Sequence, residues 1–303
     1  MKIIKIVLIL AVFAAPIYFY TPARLRAMAL LGRSPDCPMA RAVQSDEELQ
    51  KQIQYKDAIL YNSKKLETDP QGYEFWQTPR GNWWIPKGSH FVLPFNLAEQ
   101  QRKIYGDGEN FIHPGDIVLD CGANIGVFAI EALKKGASKV IAIEPAPENI
   151  ECLRRNFKKE IEEGKVVVYP KGVWDKDDVL TLNIDPNNSA ADSFIIQRDG
   201  AKASTIKLPL TTIDKLVDEL KLERVDFIKM DIEGAEVKAL DGAKGVLGKY
   251  HPRMSLAVYH VPDHPREMPA AAARGWSGYK VECGPCEEEK EHFFIHPAIM
   301  YWH

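Results

Sequence analysis

The sequence predicts an α/β fold, a parallel sheet with flanking helices set behind an N-terminal extension. Two observations carry that prediction. From about residue 111 short apolar runs alternate with helical segments, the pattern of strands joined by helical crossovers. Within it the run DCGANIG, residues 120 to 126, stands where a buried strand gives way to a helix, the place where such sheets bind ligands.

Taken in chain order, Ile6 to Tyr20 form an apolar stretch of fifteen residues, with Lys2 and Lys5 before it and Arg24, Arg26 and Arg33 after it. A bilayer span takes about 20 apolar residues, whereas a signal peptide has a shorter run and small residues at its cleavage site, which Val12 and Ala14 supply. Residues 1–20 are therefore expected to be a membrane anchor, associating through residues 3–20; a cleaved signal peptide and a helix packed on the domain are the alternatives. Residues 21–90 read as an extension. Its segment 46 to 66 has the pattern of an exposed amphipathic helix. From Gly72 to Leu97 aromatic and turn residues (Trp76, Trp83, Trp84, Pro79, Pro86, Pro94) predict short strands or a hairpin.

Residues 91–303 hold the main domain. Strands are predicted at Asp116 to Cys121, Lys139 to Ile143, Lys165 to Tyr169, Val225 to Met230, Met254 to His260, Tyr279 to Glu282 and Phe293 to Ile295, with helices over Ile125 to Lys135 and Pro147 to Lys159. Val179 to Ile184 and Thr205 to Leu210 look like added strands around a polar loop, DPNNSAADS.

Composition excludes several classes. With 303 residues and 46% hydrophobic content the chain buries a sizeable core and is not disordered overall. A formal net charge of -3 gives no broad basic field, so nucleic acid is not an expected partner. Five cysteines, at 37, 121, 152, 283 and 286, are too few and too scattered for a disulfide scaffold, which suits a reducing compartment. Cys283 and Cys286 form the run CGPC, with the spacing of a redox pair, but the charged run EEEKEH that follows fits a turn bearing two thiols better. A small metal site with His292 and His296 would have spacing much shorter than a zinc finger's.

The chemistry concentrates at predicted strand ends. Gly122 and Gly126 permit backbone angles and close approaches that a side chain blocks, and the following helix offers unpaired N–H groups to an anion. A dinucleotide loop has the pattern GxGxxG; here Asn124 takes the second glycine's place, which points to a nucleoside cofactor lacking a pyrophosphate. Glu144 ends the next strand, 24 positions after Asp120, where a carboxylate suits a ribose diol. In VDFIKMDIEGAEVKAL, residues 225 to 240, the strand ends at Asp231 and a helix is predicted from near Glu233. Glu233 and Glu236 share its face. Lys229, in an otherwise apolar strand, needs an acidic partner if buried.

Together, GDIVLDCGANIGVFAIEA, VIAIEPAPENIECLRRNF, TTIDKL and FIKMDIEGAE resemble the FkbM family of S-adenosylmethionine-dependent methyltransferases over about residues 90 to 300. The resemblance implies a Rossmann-like class I methyltransferase sheet, S-adenosylmethionine as cofactor, and O-methylation of a hydroxyl on a sugar, glycan, lipid-linked or secondary-metabolite acceptor. By it Asp120, Gly122, Ala123, Asn124 and Gly126 hold the methionine end of the donor, Glu144 and Pro145 the ribose, and Gly172, Val173 and Trp174 lie near the adenine. Asp231, Glu233 and Glu236 map to the acidic motif facing donor and acceptor, Asp231 touching the donor and the two glutamates the acceptor.

A neutral hydroxyl is a poor nucleophile, so a general base is expected. Asp231 and His260 are the candidates because each ends a predicted strand on the ligand side; Glu233 is a further catalytic candidate. No metal is expected, the alternative being a divalent cation held by the acidic trio. Because the methyl donor is made in the cytosol, the catalytic domain is expected on the cytoplasmic side of the membrane. Two rival functions share the fold: an NAD-linked oxidoreductase, and a non-catalytic S-adenosylmethionine-binding protein.

Overall fold

The computed structural model describes residues 20–184, 194 and 204–303. The apolar run before Tyr20 and the loop DPNNSAADS lie outside the described residues. Among those described, no helix is long and apolar enough to cross a membrane.

The extension opens with helices α1 (Thr21–Leu30), α2 (Met39–Ala42) and α3 (Ser45–Tyr61), followed by strands β1 (Lys64–Thr68), β2 (Glu74–Thr78) and β3 (Gly81–Ile85). β2 and β3 form the hairpin that the aromatic and turn-rich segment predicts, while β1, whose first residues fall at the end of the predicted helix 46 to 66, adds to it as a third antiparallel strand. Helix α4 (Val92–Arg102) was not expected, because Pro94 reads as a turn residue. Proline is tolerated here because the first turn of a helix leaves its N–H groups without partners.

The main sheet takes β4 (Ile117–Cys121), β5 (Lys139–Ile143) and β6 (Val166–Tyr169), with helices α5 (Val127–Lys134), α6 (Pro147–Asn156) and α7 (Lys158–Glu162) between and after the first two. A side sheet follows, of β7 (Gly172–Val173), β8 (Asp178–Ile184) and β9 (Ser204–Thr211), the last two forming the predicted added hairpin. The chain then runs through α8 (Ile213–Glu219), β10 (Phe227–Met230), α9 (Glu236–Asp241), α10 (Lys244–Tyr250), β11 (Arg253–Ala257), α11 (His264–Ala273), β12 (Val281–Cys283), β13 (Cys286–Glu289), β14 (Phe294–Pro297) and β15 (Ile299–Trp302). The central sheet has the order β12-β15-β11-β10-β4-β5-β6. Its β4, β5, β6, β10 and β11 are parallel, and β15 is antiparallel to both neighbours. This is the Rossmann-like class I methyltransferase sheet that the resemblance implies.

Alternation along the strands builds two cores. Val118, Val140, Ala142 and Phe227 face one side and pack with Phe128 of α5; Leu119, Ile141, Ile143 and Ile228 face the other and pack with α8 through α11. Both faces are therefore dry, and each strand reads as a continuous apolar run. The predicted strand near Phe293 exists but pairs with β13 in a separate hairpin, while β15, not predicted, enters the sheet with Trp302 fully buried.

One expectation is corrected outright. The cysteines are not all free thiols: Cys37 and Cys286 form a disulfide across 249 positions. It joins the link between α1 and α2 to the β13–β14 hairpin, inside a small apolar cluster of Leu25, Met28, Ala42 and Ile295. Arg24 adds a two-pronged bond to Glu288, at 2.6 and 2.8 Å. Spacing along the chain gave no sign of a partner so distant.

Candidate active site

The site forms where β4, β5 and β10 end side by side. Asp120 pairs in register with Ala142 on one side and with Lys229 on the other. Asp120 is fully buried, and burial pushes its pKa up to about 6 against the opposing pull of Lys229. Lys229 lies 3.3 Å from Asp120 and donates to the Gly122 carbonyl at 2.7 Å. Burial alone would lower the lysine's pKa, but Asp120 and Asp231 outweigh it and hold the ammonium above its ordinary value. This buried pair thus fixes the glycine turn from below. Neither the narrow crevice nor the wide cavity described next includes Asp120 in its lining.

At Gly122 the chain passes so close to β10 that a Cβ would stand 1.9 Å from the Asp231 carbonyl oxygen. At Gly126 it would stand 2.1 Å from the Phe157 ring, so this glycine serves the packing of α5 on α6. The N–H groups of Gly122 and Ala123 are bonded to the Ile143 carbonyl at 3.0 and 3.1 Å. Those left for a ligand are at the start of α5, which has no side-chain cap and whose Val127 and Phe128 line the cavity. Asn124 adopts a left-handed φ of 49° and donates its N–H to Glu144 at 2.8 Å, which ties the turn to the neighbouring strand.

Glu144 also accepts from the Ala146 N–H at 3.0 Å. Burial nevertheless pushes its pKa up to about 7. It lines the narrow crevice, about 50 Å³, with Gly122, Asn124, Pro145, Gly172 and Val173. Trp174 is outside this lining; its N–H is bonded to Thr211 of β9. The wide cavity, about 410 Å³, has Ala123 in its wall. Crevice and cavity share Gly122, Asn124, Asp231 and Glu233, which stand at their junction.

Around that junction runs a chain of polar contacts. Tyr105 donates to Asp231 at 2.6 Å, and Asp231 lies 3.3 Å from Nε2 of His260. The other ring nitrogen of His260 meets Glu236 at 3.0 Å, and Glu233 lies 3.5 Å from Nε2. Burial alone would lower the His260 pKa, but the bonds to Glu233 and Glu236, with the Asp231 charge, hold it well above the ordinary value. The ring is enclosed by these three carboxylates and is absent from the cavity wall. Glu236, fully buried, accepts from the Ile232 N–H at 2.9 Å and so braces the turn after β10 instead of meeting an acceptor. That turn delays α9 to Glu236, because Glu233 (φ 55°) and Gly234 (φ 100°) are left-handed. A glutamate in this region costs about 1 to 2 kcal/mol, strain of the kind concentrated at ligand sites.

Several cavity residues escaped the sequence reading: Phe91, Phe95 and Asn96 near the mouth, Glu99, Tyr105 and Tyr259. They lie before the first motif or after β11, where no sequence signature marks them. Glu99 is half-buried, and that burial with the charges of Asp231 and Glu287 pushes its pKa up to about 8. Burial and Asp231 raise the Tyr105 phenol well above its usual range, so it remains a donor.

A family model described as a methyltransferase FkbM domain matches residues 120–290, more than half of the chain. The chain belongs to the FkbM methyltransferase family. This FkbM chain is 25% identical over 201 residues to the AMB antimetabolite synthetase AmbE of Pseudomonas aeruginosa, covering 52% of the chain and 9% of that protein. It is 26% identical over 154 residues to the methyltransferase sdnD of Sordaria araneosa, covering 41% and 59%. To the 31-O-demethyl-FK506 methyltransferase FkbM of Streptomyces tacrolimicus it is 25% identical over 213 residues, covering 59% and 80%. The chain thus spans less than two thirds of the first two relatives. Among solved structures, a methyltransferase FkbM from Methylobacillus flagellatus KT aligns with a TM-score of 0.44 and 15% identity, covering 86% of this chain and 60% of that one.

Proposed function

We propose that this methyltransferase transfers the methyl group of S-adenosylmethionine to a hydroxyl oxygen of a small-molecule or glycan acceptor. The observation that supports this reading most is the position of Asp231, at the meeting of crevice and cavity. The residues fit the donor. A nucleoside arm has the crevice and the Glu144 carboxylate for its ribose, and an amino-acid arm has the uncapped start of α5. When bound, the donor supplies an electrophilic methyl group. The chain's own contribution is to hold the acceptor oxygen in line with it, which accounts for several kcal/mol of the roughly 7 to 11 kcal/mol available from positioning, and to take the hydroxyl proton on Asp231.

In this mechanism His260 is a positioning residue. The Tyr105 hydroxyl bonds one oxygen of Asp231 and the His260 ring stands 3.3 Å from the other. Glu233, at the junction, stands beside the acceptor. Asp231, Glu236 and His260 also stand close enough together to hold a cation, the alternative to a proton-taking Asp231. The family membership sets aside the dinucleotide reading. An aromatic mouth of Phe91, Phe95 and Tyr259 over Asn96, Glu99 and Gln100 suits an acceptor with an apolar face and several hydroxyls. The reading is tested by transfer of labelled methyl to polyhydroxylated acceptors; products methylated on nitrogen or carbon alone would overturn the assignment to oxygen.

Only an ionised Glu144 accepts from both ribose hydroxyls. With its pKa near 7 the group is mostly protonated at about pH 6 and mostly ionised at about pH 8, so donor affinity is expected to rise about tenfold between them. Calorimetry across that range measures it, and Glu144→Gln should flatten the profile. A wild-type affinity independent of pH would remove Glu144 from ribose binding.

The N-terminal apolar run is proposed to anchor the enzyme with its catalytic domain on the cytoplasmic side, next to the donor pool and a membrane-proximal acceptor. Alkaline carbonate extraction tests this, full release into the supernatant being the contrary result.

A further inference from the structure

Cys37, Cys283 and Cys286 bring their sulfur atoms within 4.8 Å of one another. The first and third are bonded; Cys283, half-buried, holds its sulfur 3.5 Å from that of Cys286. A thiol in contact with a disulfide is the reactant pair of thiol–disulfide exchange. We propose that these three cysteines form an internal exchange site in which Cys286 changes partner between Cys37 and Cys283.

The step balances within the chain. The Cys283 thiol gives up its proton and its sulfur attacks that of Cys286. A Cys283–Cys286 bond forms as the Cys286–Cys37 bond breaks, and Cys37 leaves as a thiolate that takes up a proton. No oxidant or reductant is consumed. The Cys283 sulfur stands off the axis of the Cys37–Cys286 bond, so the attack requires its half-buried side chain to turn.

The two partners of Cys286 differ in how they are held. Cys283 and Cys286 flank a turn fixed by two backbone bonds, Gly284 to the Ile299 carbonyl and Ala298 to the Pro285 carbonyl, both 2.9 Å. Their pairing closes a short loop that is already formed. Cys37 arrives on a separate segment, kept against the hairpin by Arg24 on Glu288 and by Arg33 on the His292 and Phe293 carbonyls. These contacts keep Cys37 close after its bond is broken, so the exchange runs both ways. On the cytoplasmic placement proposed above, a disulfide is expected to be transient, and a bond with a resident thiol beside it is of that kind.

Burial pushes the Cys283 pKa up to about 11, opposed by Arg41, so the thiolate is scarce near neutrality. Exchange is therefore slow at about pH 7 and gains about tenfold per pH unit up to about pH 9. The full chain, purified without reductant and incubated over that range, is acid-quenched, capped with N-ethylmaleimide and mapped by peptide mass spectrometry. Two forms are expected: Cys37–Cys286 with Cys283 capped, and Cys283–Cys286 with Cys37 capped, relaxing faster as pH rises. Cys283→Ser should leave only the first form, and Cys37→Ser, oxidised with glutathione disulfide, only the second. Wild-type protein that keeps Cys37–Cys286 alone at about pH 9, with Cys283 fully capped, would overturn the proposal. So would three reduced cysteines holding a stoichiometric metal ion.

Discussion

Replacing Asp231 by Asn is expected to leave S-adenosylmethionine affinity within about twofold while lowering turnover by about 100 to 10,000-fold, the range of a lost general base. Asparagine keeps the volume of the side chain and an oxygen for the Tyr105 hydroxyl, so the junction between crevice and cavity stays shaped as it is. What disappears is a carboxylate at that junction whose oxygens meet the Tyr105 hydroxyl at 2.6 Å and the His260 ring at 3.3 Å. Calorimetry and single-turnover methyl transfer measure the two quantities separately. A variant that turns over like the wild type would end the role of Asp231 as base. His260→Gln should behave differently, with a moderate loss of turnover and a shifted pH profile, because the histidine acts through Asp231 and never meets the acceptor.

The second large effect is expected at Gly122. A methyl group there would stand 1.9 Å from the Asp231 carbonyl oxygen and 2.9 Å from its carbon, with the backbone at φ 77°. Something must shift, and the obstacle is backbone at the floor of both spaces. Gly122→Ala is expected to lower donor affinity by at least about 100-fold and to reduce the melting temperature. Gly164→Ala is the control: it has nearly the same backbone angle, φ 71°, and open space around it, so it carries only the roughly 1 to 2 kcal/mol of left-handed strain. If the two variants bound the donor equally well, the tight approach of β4 to β10 would not shape the site.

What the sequence made legible follows from range. Alternation and helical spacing are local, and the strands β4, β5, β6, β10 and β11 fall where apolar runs mark them. The glycine turn and the acids at 144 and 231 are legible because a strand end facing a ligand needs those residue types at fixed places. Roles that depend on distant partners are not. Asp120 and His260 look like ligand-facing groups in the sequence, yet a lysine 109 positions later holds the first and three carboxylates surround the second. Glu99 and Tyr105 reach the cavity from a helix and a turn with no motif, and their meaning comes only from what they face. The Cys37–Cys286 bond is the extreme case, a contact across most of the chain in which the CGPC run points to its own neighbour and nothing points to Cys37.

The insertion of β15 between β11 and β12 has a consequence for biosynthesis. Until residues 299 to 302 have left the ribosome, β11 presents a free edge of unpaired N–H and C=O groups flanked by apolar faces. The nascent polypeptide thus carries a sticky, template-like border from the emergence of β11 until that of β15, and a stop codon just before Ile299 would make that state permanent. Such a product is expected to partition into inclusion bodies, even though every residue of the donor crevice has been translated.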